Sequence, residues 1–470
     1  MSPPDLRPLL SPRSIAVIGA STQAHKIGGM PIRLLRDGGY RGALYPVHLH
    51  AAAVQGLKAY PSLAAIGSPV DLAIVAVPAA ACEATLHELA RAGTRAAIVF
   101  SAGFAETGAD GEQRQDRLAA IAAAHGIALL GPNCLGAMNL REHVYATFSP
   151  VVLAGVPPPG RISMVSQSGA FGSYAFALAR EARVGLRHWV STGNEAGVQV
   201  ADAIHWLAGD ADTDVVLAYI EGSRDPPRLE AALAAAHDAG KPVAIIKVGL
   251  TAAGKRAARR HTGSDTGADA EYAALFDAHG VHRAQTIGEL LRLGTTLSSM
   301  SAASRRRTAP SGVANALAVL SISGGVGIMM ADRAEQIGLD LPPMPDAAAQ
   351  RLLARVPFAT ATNPVDVTGQ AIARPEVLAD TLADLARCGT YGHVAAFVGN
   401  GAGVPALWKA LQSCIEELQA DAAAAPLLLS GIVLPAQRQW LEARGCLVFE
   451  EPADAVEAVA VLARATRSAR

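Results

Sequence analysis

The sequence predicts an α/β protein built from three consecutive parallel-sheet domains. Three observations carry this reading. Short apolar, β-branched runs alternate with amphipathic helical stretches along the whole 470 residues, the pattern of parallel strands joined by right-handed helical crossovers. Those runs are apolar at successive positions, as expected of strands covered on both faces. Two of them, 162–165 and 317–322, lead into Ser/Gly turns that open helical stretches: Ser166-Gln167-Ser168-Gly169-Ala170 and Ser323-Gly324-Gly325-Val326-Gly327. A strand that feeds a helix start through such a turn leaves backbone N–H groups at the positive end of the helix dipole, where anions bind.

The first block, 1–150, has expected strands at 14–18, 44–47, 72–77, 96–100 and 128–130, with helical patterns at 82–91 and 112–124. It reads as Rossmann-like. Three consecutive prolines in 154–160 mark a linker. The second block, 160–300, has strands at 162–165, 186–191, 215–220 and 243–248. The polar, basic run 301–312 separates it from a third block, 312–470, with strands at 316–322, 393–398, 427–432 and 447–449. The second and third blocks open alike, a weak internal repeat of architecture.

Composition narrows the function. The chain is 51% hydrophobic, 17% charged and 4% aromatic, with net charge −1. These values predict a soluble protein with ample core, no field favouring nucleic acid or acidic membrane, and no stacking platform for single strands. Five cysteines without a CxxC pair suit a reducing cytoplasm and give no zinc pattern, so no metal site is assigned. Met1 to Pro12 carries Pro, Asp and Arg in place of an apolar leader core, and no secretory signal is expected. The uncharged run 313–331 contains Asn315, Ser321 and Ser323, and reads as a buried strand, a turn and a helix start in preference to a membrane span.

His261 follows Arg259-Arg260, and Lys255 and Arg256 lie nearby. With two anion-binding turns, this basic loop suggests a device that holds a phosphorylated imidazole. Taken alone, His261 reads as an exposed loop histidine beside a solvated basic run. Glu221 follows a buried strand and precedes Gly222; it is either a polar strand end or a carboxylate placed to accept an imidazole N–H and fix its tautomer. The turn Gly19-Ala20-Ser21, with Lys26 beyond it, follows the first strand at the carboxyl edge of its sheet, where α/β folds bind ligands. It lacks the G-x-G-x-x-G spacing of dinucleotide sites, which disfavours an NAD(P)-linked oxidoreductase. Cys134 has no neighbouring histidine and reads as a packing residue.

The residues resemble one family in order along nearly the whole chain. Ser11-Pro12-Arg13-Ser14-Ile15-Ala16-Val17-Ile18-Gly19-Ala20-Ser21, Lys26-Ile27-Gly28-Gly29 and Gly131-Pro132-Asn133-Cys134-Leu135-Gly136 resemble the CoA-binding domain of nucleoside-diphosphate-forming acyl-CoA synthetases. The turn at Ser166, Ser191-Thr192-Gly193-Asn194, Tyr219-Ile220-Glu221-Gly222 and His261-Thr262-Gly263 resemble the succinyl-CoA-ligase-like second domain, and Asn363-Pro364-Val365-Asp366 the third. The resemblance implies a Rossmann-like CoA-binding domain followed by two flavodoxin-like ligase domains. It implies an acid–thiol ligase subunit that interconverts acyl-CoA, ADP and phosphate with carboxylic acid, CoA and ATP. His261 would carry the phosphoryl group and Glu221 would orient it. Gly19, Ala20, Ser21, Lys26, Pro46, Val77, Pro78 and Asn133 would bind CoA. Ser166, Ser168, Gly169, Ala170, Gly324, Gly325 and Gly327 would bind phosphate.

The family's machinery also includes an ATP-grasp module, for which the three blocks leave no length. A separate β chain carrying ATP or ADP and Mg²⁺, and an oligomeric assembly, are therefore expected. Arg259-Arg260 and Asp265 depart from the small and apolar residues usual beside the histidine. A CoA- or nucleotide-binding regulator without turnover is the rival expectation.

Overall fold

The computed structural model describes residues 3–256, 268–299 and 313–468. His261, with Arg259, Arg260 and Asp265, and the expected linker 301–312 lie outside the described residues. The chain divides into two compact units, Met1–Thr295 and Thr296–Arg470. Among the described residues no helix is long and apolar enough to cross a membrane.

The first unit holds two large sheets. One comprises β1 (Ser14–Ile18), β2 (Ala43–Val47), β5 (Leu72–Val75), β6 (Ala96–Val99) and β7 (Ala128–Leu130), all parallel, in the order β2-β1-β5-β6-β7. A small hairpin, β3 (Ala53–Val54) and β4 (Leu57–Lys58), is inserted after β2. Alternate strand residues enter two different cores. Ile15, Val17, Ile74 and Ile98 point into one, and Ala16, Val75, Val99 and Leu129 into the other. This division explains why the runs are apolar at every position.

The second sheet comprises β8 (Gly136–Asn139), β9 (Val144–Thr147), β10 (Pro159–Ser166), β11 (Leu186–Ser191), β12 (Val215–Ile220), β13 (Val243–Lys247) and β14 (His282–Arg283), ordered β14-β13-β12-β10-β11-β8-β9. It is parallel except that β8 and β9 form an antiparallel hairpin on the edge of β11. Residues 136–147 belong to the second sheet, and one core runs under both sheets, from Ile15 to Val165 and Val216. The hairpin gave no apolar-run signal because each strand is four residues long and carries a polar residue, Asn139 or Thr147.

The second unit contains β15 (Leu317–Ser321), β16 (Val365–Asp366), β17 (His393–Gly399), β18 (Leu427–Gly431) and β19 (Leu447–Phe449), all parallel, ordered β16-β15-β17-β18-β19. The apolar run 313–331 is strand β15, its turn and the helix Gly324–Gln336.

The parallel part of every sheet has the same order. Its first strand is central, the second lies on one side and the third on the other. That is the flavodoxin-like order, in which the chain diverges beyond the carboxyl ends of the first and third strands and leaves a crevice there. The three crevices lie beyond β1/β5, β10/β12 and β15/β17.

Candidate functional site

At the β1/β5 crevice, Gly19 has φ +78°, and a Cβ on it would lie 2.5 Å from the Ala76 carbonyl oxygen. Only glycine fits where the segments leaving β1 and β5 pass so closely. The turn is tightened further by the Ala20 amide donating to Val47 O (3.1 Å) and the Ser21 amide to Gly28 O (3.2 Å). Those two amides are engaged within the loop, so at these positions a ligand meets the turn's shape and the Ser21 hydroxyl. Lys26 is exposed at the rim, Val77 is half-buried, Pro78 is exposed at the start of the helix Ala79–Arg91, and Pro46 is buried in β2.

The β10/β12 crevice opens into a cleft of about 960 Å³, lined from both sheets of the first unit. Ser168, Gly169, Ala170, Glu221 and Asn133, assigned from sequence to three different tasks, all line it. Ser168 caps the helix Gly169–Glu181, its Oγ accepting from the Phe171 amide at 3.3 Å. Gly169 has no room for a side chain: a Cβ would lie 2.7 Å from Leu135 Cγ. Ser166 is fully buried and shapes the turn, its hydroxyl donating to Ser168 O at 2.7 Å.

Sequence reasoning passed over the side chain that joins these parts. Gln167 Oε1 accepts from the Glu221 amide (2.6 Å), and its Nε2 donates to Gly222 O (2.7 Å) and to Glu195 Oε2 (2.9 Å). It fastens the end of β12 to the turn after β10. Glu195 was also missed. It is buried, has φ +58°, and accepts from Thr192 Oγ1 (3.0 Å) and the Val200 amide (2.7 Å) as well as from Gln167. Burial pushes its carboxyl above the usual range despite those donors. The one available signal was a glutamate directly after the Gly193-Asn194 turn.

Asn194 closes the cleft against the first sheet. Its Nδ2 donates to Glu106 Oε2 and to Gln115 Oε1, and its Oδ1 accepts from Asn133 Nδ2 at 3.1 Å. Burial works to raise the Glu106 carboxyl, but hydrogen bonds from Asn194 and the Gly103 and Phe104 amides outweigh it and hold the group low. Tyr219, stacked on Phe171 with centroids 4.0 Å apart, has its phenol pushed up by burial and by its neighbour Glu221. The Cys134 thiol is buried, which pushes it up to about 12 and keeps it protonated, in keeping with a packing role. Among the described residues no cluster of His, Cys, Asp or Glu could hold a metal ion.

Lys247 ends β13 in register with Ile220, directly before Glu221. It is buried, donates to the Val248 carbonyl, and lies 4.7 Å from the ring centre of Tyr272, whose hydroxyl accepts from the Ser223 amide at 2.8 Å. Burial pulls its ammonium down to about 8.

In the second unit the 323–327 turn repeats the first. Ser321 Oγ donates to Ser323 O at 2.7 Å, as Ser166 does to Ser168, and Gly324 and Gly325 are exposed. One neighbour differs. A Cβ on Gly324 would lie 3.0 Å from Asp366 Oδ2, and Asp366 Oδ1 accepts from the Thr368 amide at 2.8 Å. A carboxylate thus already stands at this helix start, and a phosphate bound there would share the dipole with it.

Comparison with known proteins agrees with this architecture. A CoA-binding-domain family model matches residues 13–139, and a model of the succinyl-CoA ligase like flavodoxin domain matches 159–297. The α subunit of acetate–CoA ligase (ADP-forming) II from Pyrococcus furiosus is 32% identical over 97% of this chain and 97% of its own length. Trans-feruloyl-CoA synthase FCS1, from an unknown prokaryotic organism, is 34% identical over 90% of this chain and 59% of its own length. The dinucleotide-forming acetyl-coenzyme A synthetase 1 of Ca. Korarchaeum cryptofilum, solved with phosphate and ADP, superposes with a TM-score of 0.84 at 28% identity, covering 99% of this chain and 97% of that one. With relatedness at this level running from end to end, the chain belongs to the α-subunit family of ADP-forming acetate–CoA ligases, within the succinyl-CoA ligase superfamily.

Proposed function

We propose that this chain is the CoA-handling subunit of an ADP-forming acid–thiol ligase. The observation that carries the reading is the cleft in which the amide-rich helix start at Ser168, Gly169 and Ala170 faces the same space as Glu221, at the carboxyl edge of the second sheet. In the ATP-forming direction a phosphate oxygen attacks the thioester carbonyl carbon. The C–S bond breaks, and CoA leaves as the thiolate and takes up a proton. The helix-start amides stabilise the charge on phosphate through this step. The product is an acyl phosphate.

A neutral nitrogen of His261 then attacks phosphorus, and the P–O bond to the acyl group breaks to release the carboxylate. Glu221 accepts the other ring N–H and stabilises the imidazolium that develops. The phosphoryl group passes to ADP held with Mg²⁺ by an ATP-grasp β chain, and in the opposite direction ATP charges the histidine. The 323–327 turn of the second unit offers the same kind of helix start for the phosphoryl group. Gly19, Ser21, Lys26, Val77 and Pro78 hold CoA at the β1/β5 crevice. All five cysteines are free, which suits action in the cytoplasm.

The test is direct. Purified chain incubated with an acyl-CoA and labelled inorganic phosphate should acquire acid-labile, base-stable label, absent in His261→Ala. Equal labelling of the two proteins would refute the relay.

A further inference from the structure

The thioester step places a demand on the cleft that the amide cradle for phosphate does not meet. When a phosphate oxygen attacks the thioester carbonyl carbon, the carbonyl π pair moves onto its oxygen, which becomes an anion. The carbonyl then reforms, the C–S bond breaks, and the proton given up by hydrogen phosphate ends on the sulfur. A neutral donor already aimed at that oxygen favours the transition state over the uncharged ground state.

The cleft is lined by three side-chain amides, of Asn133, Gln167 and Asn194, and two of them are fully engaged as donors. Gln167 Nε2 donates to Gly222 O and Glu195 Oε2, and Asn194 Nδ2 to Glu106 Oε2 and Gln115 Oε1. Asn133 Nδ2 commits one hydrogen to Asn194 Oδ1, at 3.1 Å, and among the described residues nothing takes the other. Asn133 is exposed to the cleft.

The direction of this amide is dictated from the far end of the hydrogen-bond chain. A carboxylate only accepts, and the donors to Glu106 hold it low, as the anion. Asn194 therefore faces Glu106 with its nitrogen. Gln115 Oε1, which also accepts from the Ala105 amide at 3.4 Å, takes the second hydrogen. Asn194 Oδ1 is thereby turned to Asn133, which meets it with Nδ2. The backbone under the pair is fixed as well. Asn133 has φ +55°, its amide donates to Ser101 O (3.0 Å), and the Asn194 amide donates to Pro132 O (2.9 Å). Gly193 lets the two turns meet, since a Cβ there would lie 2.5 Å from the carbonyl oxygens of Pro132 and Asn133. Asn133 also sits on the segment joining β7 of the first sheet to β8 of the second, between the sheet expected to hold CoA and the cleft expected to hold phosphate.

Resting on the proposed ligase function, we infer that Asn133 is a catalytic residue of the acyl-transfer step, donating its free Nδ2 hydrogen to the thioester carbonyl oxygen, and that Asn194 and Glu106 are positioning residues that fix which way it points.

The experiment labels the full chain by two routes. Acetyl-CoA with labelled inorganic phosphate requires the thioester step, and acetyl phosphate labelled in its phosphoryl group enters after it. Asn133→Gly deletes the amide where the positive φ suits glycine, and Asn133→Asp keeps the outline without a donor. At saturating acetyl-CoA both variants should label about a hundredfold more slowly than wild type, the scale of one lost oxyanion donor. Both should keep the wild-type rate from acetyl phosphate and the wild-type affinity for CoA. Glu106→Gln frees the chain to reverse and should slow the acetyl-CoA route about tenfold while sparing the other; an unchanged rate refutes the positioning chain. Asn133 variants slowed equally by both routes, or by neither, overturn the catalytic assignment. So does a loss that higher acetyl-CoA restores and that tracks weakened CoA binding, which would make Asn133 an anchor for the CoA arm. In each of these cases wild type still labels by both routes and the relay stands. A wild type that labels by neither, or from acetyl phosphate alone, defeats the ligase reading and this role with it.

Discussion

Replacing Gln167 by methionine tests whether the cleft is held together as described. Methionine matches glutamine in length and removes the amide alone. Three short hydrogen bonds are lost: those with the Glu221 amide, the Gly222 carbonyl and the Glu195 carboxylate. The two bonds to backbone are each worth about 1 kcal/mol net, and the one to the carboxylate about 2 kcal/mol. Glu195 is buried and keeps Thr192 and Val200 as donors, so its charge is under-satisfied but not orphaned. Part of the Gln167 side chain is solvent-accessible, which lets water replace some of the loss. A destabilisation of about 3 kcal/mol is expected in the first unit. Urea unfolding followed by a probe in Met1–Thr295 reads it directly, since the second unit should melt unchanged. The same variant should slow phosphate labelling, because the end of β12 carrying Glu221 is released from the turn at Ser168. A loss below about 0.5 kcal/mol with wild-type labelling would show that Gln167 is an ornament of the turn and that the cleft is rigid without it.

Three further outcomes follow from single observations. Gly19→Ala should weaken CoA binding at least tenfold in titration calorimetry and destabilise the first unit by more than about 2 kcal/mol, because the new Cβ meets the Ala76 carbonyl at positive φ; unchanged affinity would remove the first turn from the CoA site. Lys247 is held at about 8 in the folded state against an unfolded value of 10.5, so the unfolded chain binds more protons between those values and stability rises with pH across that window. Relative to Lys247→Met, the wild type should gain on the order of 2 kcal/mol from pH 8 to pH 10.5, and parallel stability curves would contradict the burial of the ammonium. Asp366→Asn should cost the second unit about 0.5–1 kcal/mol in thermal unfolding, the scale of a carboxylate at a helix start; a more stable variant would mean that the carboxylate repels its surroundings there.

Much of the fold was legible because burial on both faces leaves a direct trace. Residues 215–220 and 447–449 are strands β12 and β19 at the expected bounds, each an unbroken or nearly unbroken apolar run, and 186–191 is strand β11 at its expected bounds although it carries Arg187 and His188, both buried. The turns at Ser166 and Ser323 were legible for a related reason, since serine and glycine at the end of such a run have little other purpose. The hairpin β8–β9 was not legible, because four-residue strands with Asn139 and Thr147 carry no distinctive period. Nor was the order of strands, which depends on which crossover packs to which side.

By itself the sequence determined the α/β class, the three-fold recurrence of strand, turn and helix, and the ordered motifs that tie the chain to its family. Those are local or linear properties, set by side-chain hydrophobicity and by the backbone freedom of glycine. Tertiary structure alone decided that Asn133, Glu106 and Asn194 meet at one cleft, that Gln167 bridges Glu195 and Glu221, and that Asp366 stands before Gly324. Each of these joins residues between 28 and 88 positions apart, and such pairings arise only when sheets close over a shared core.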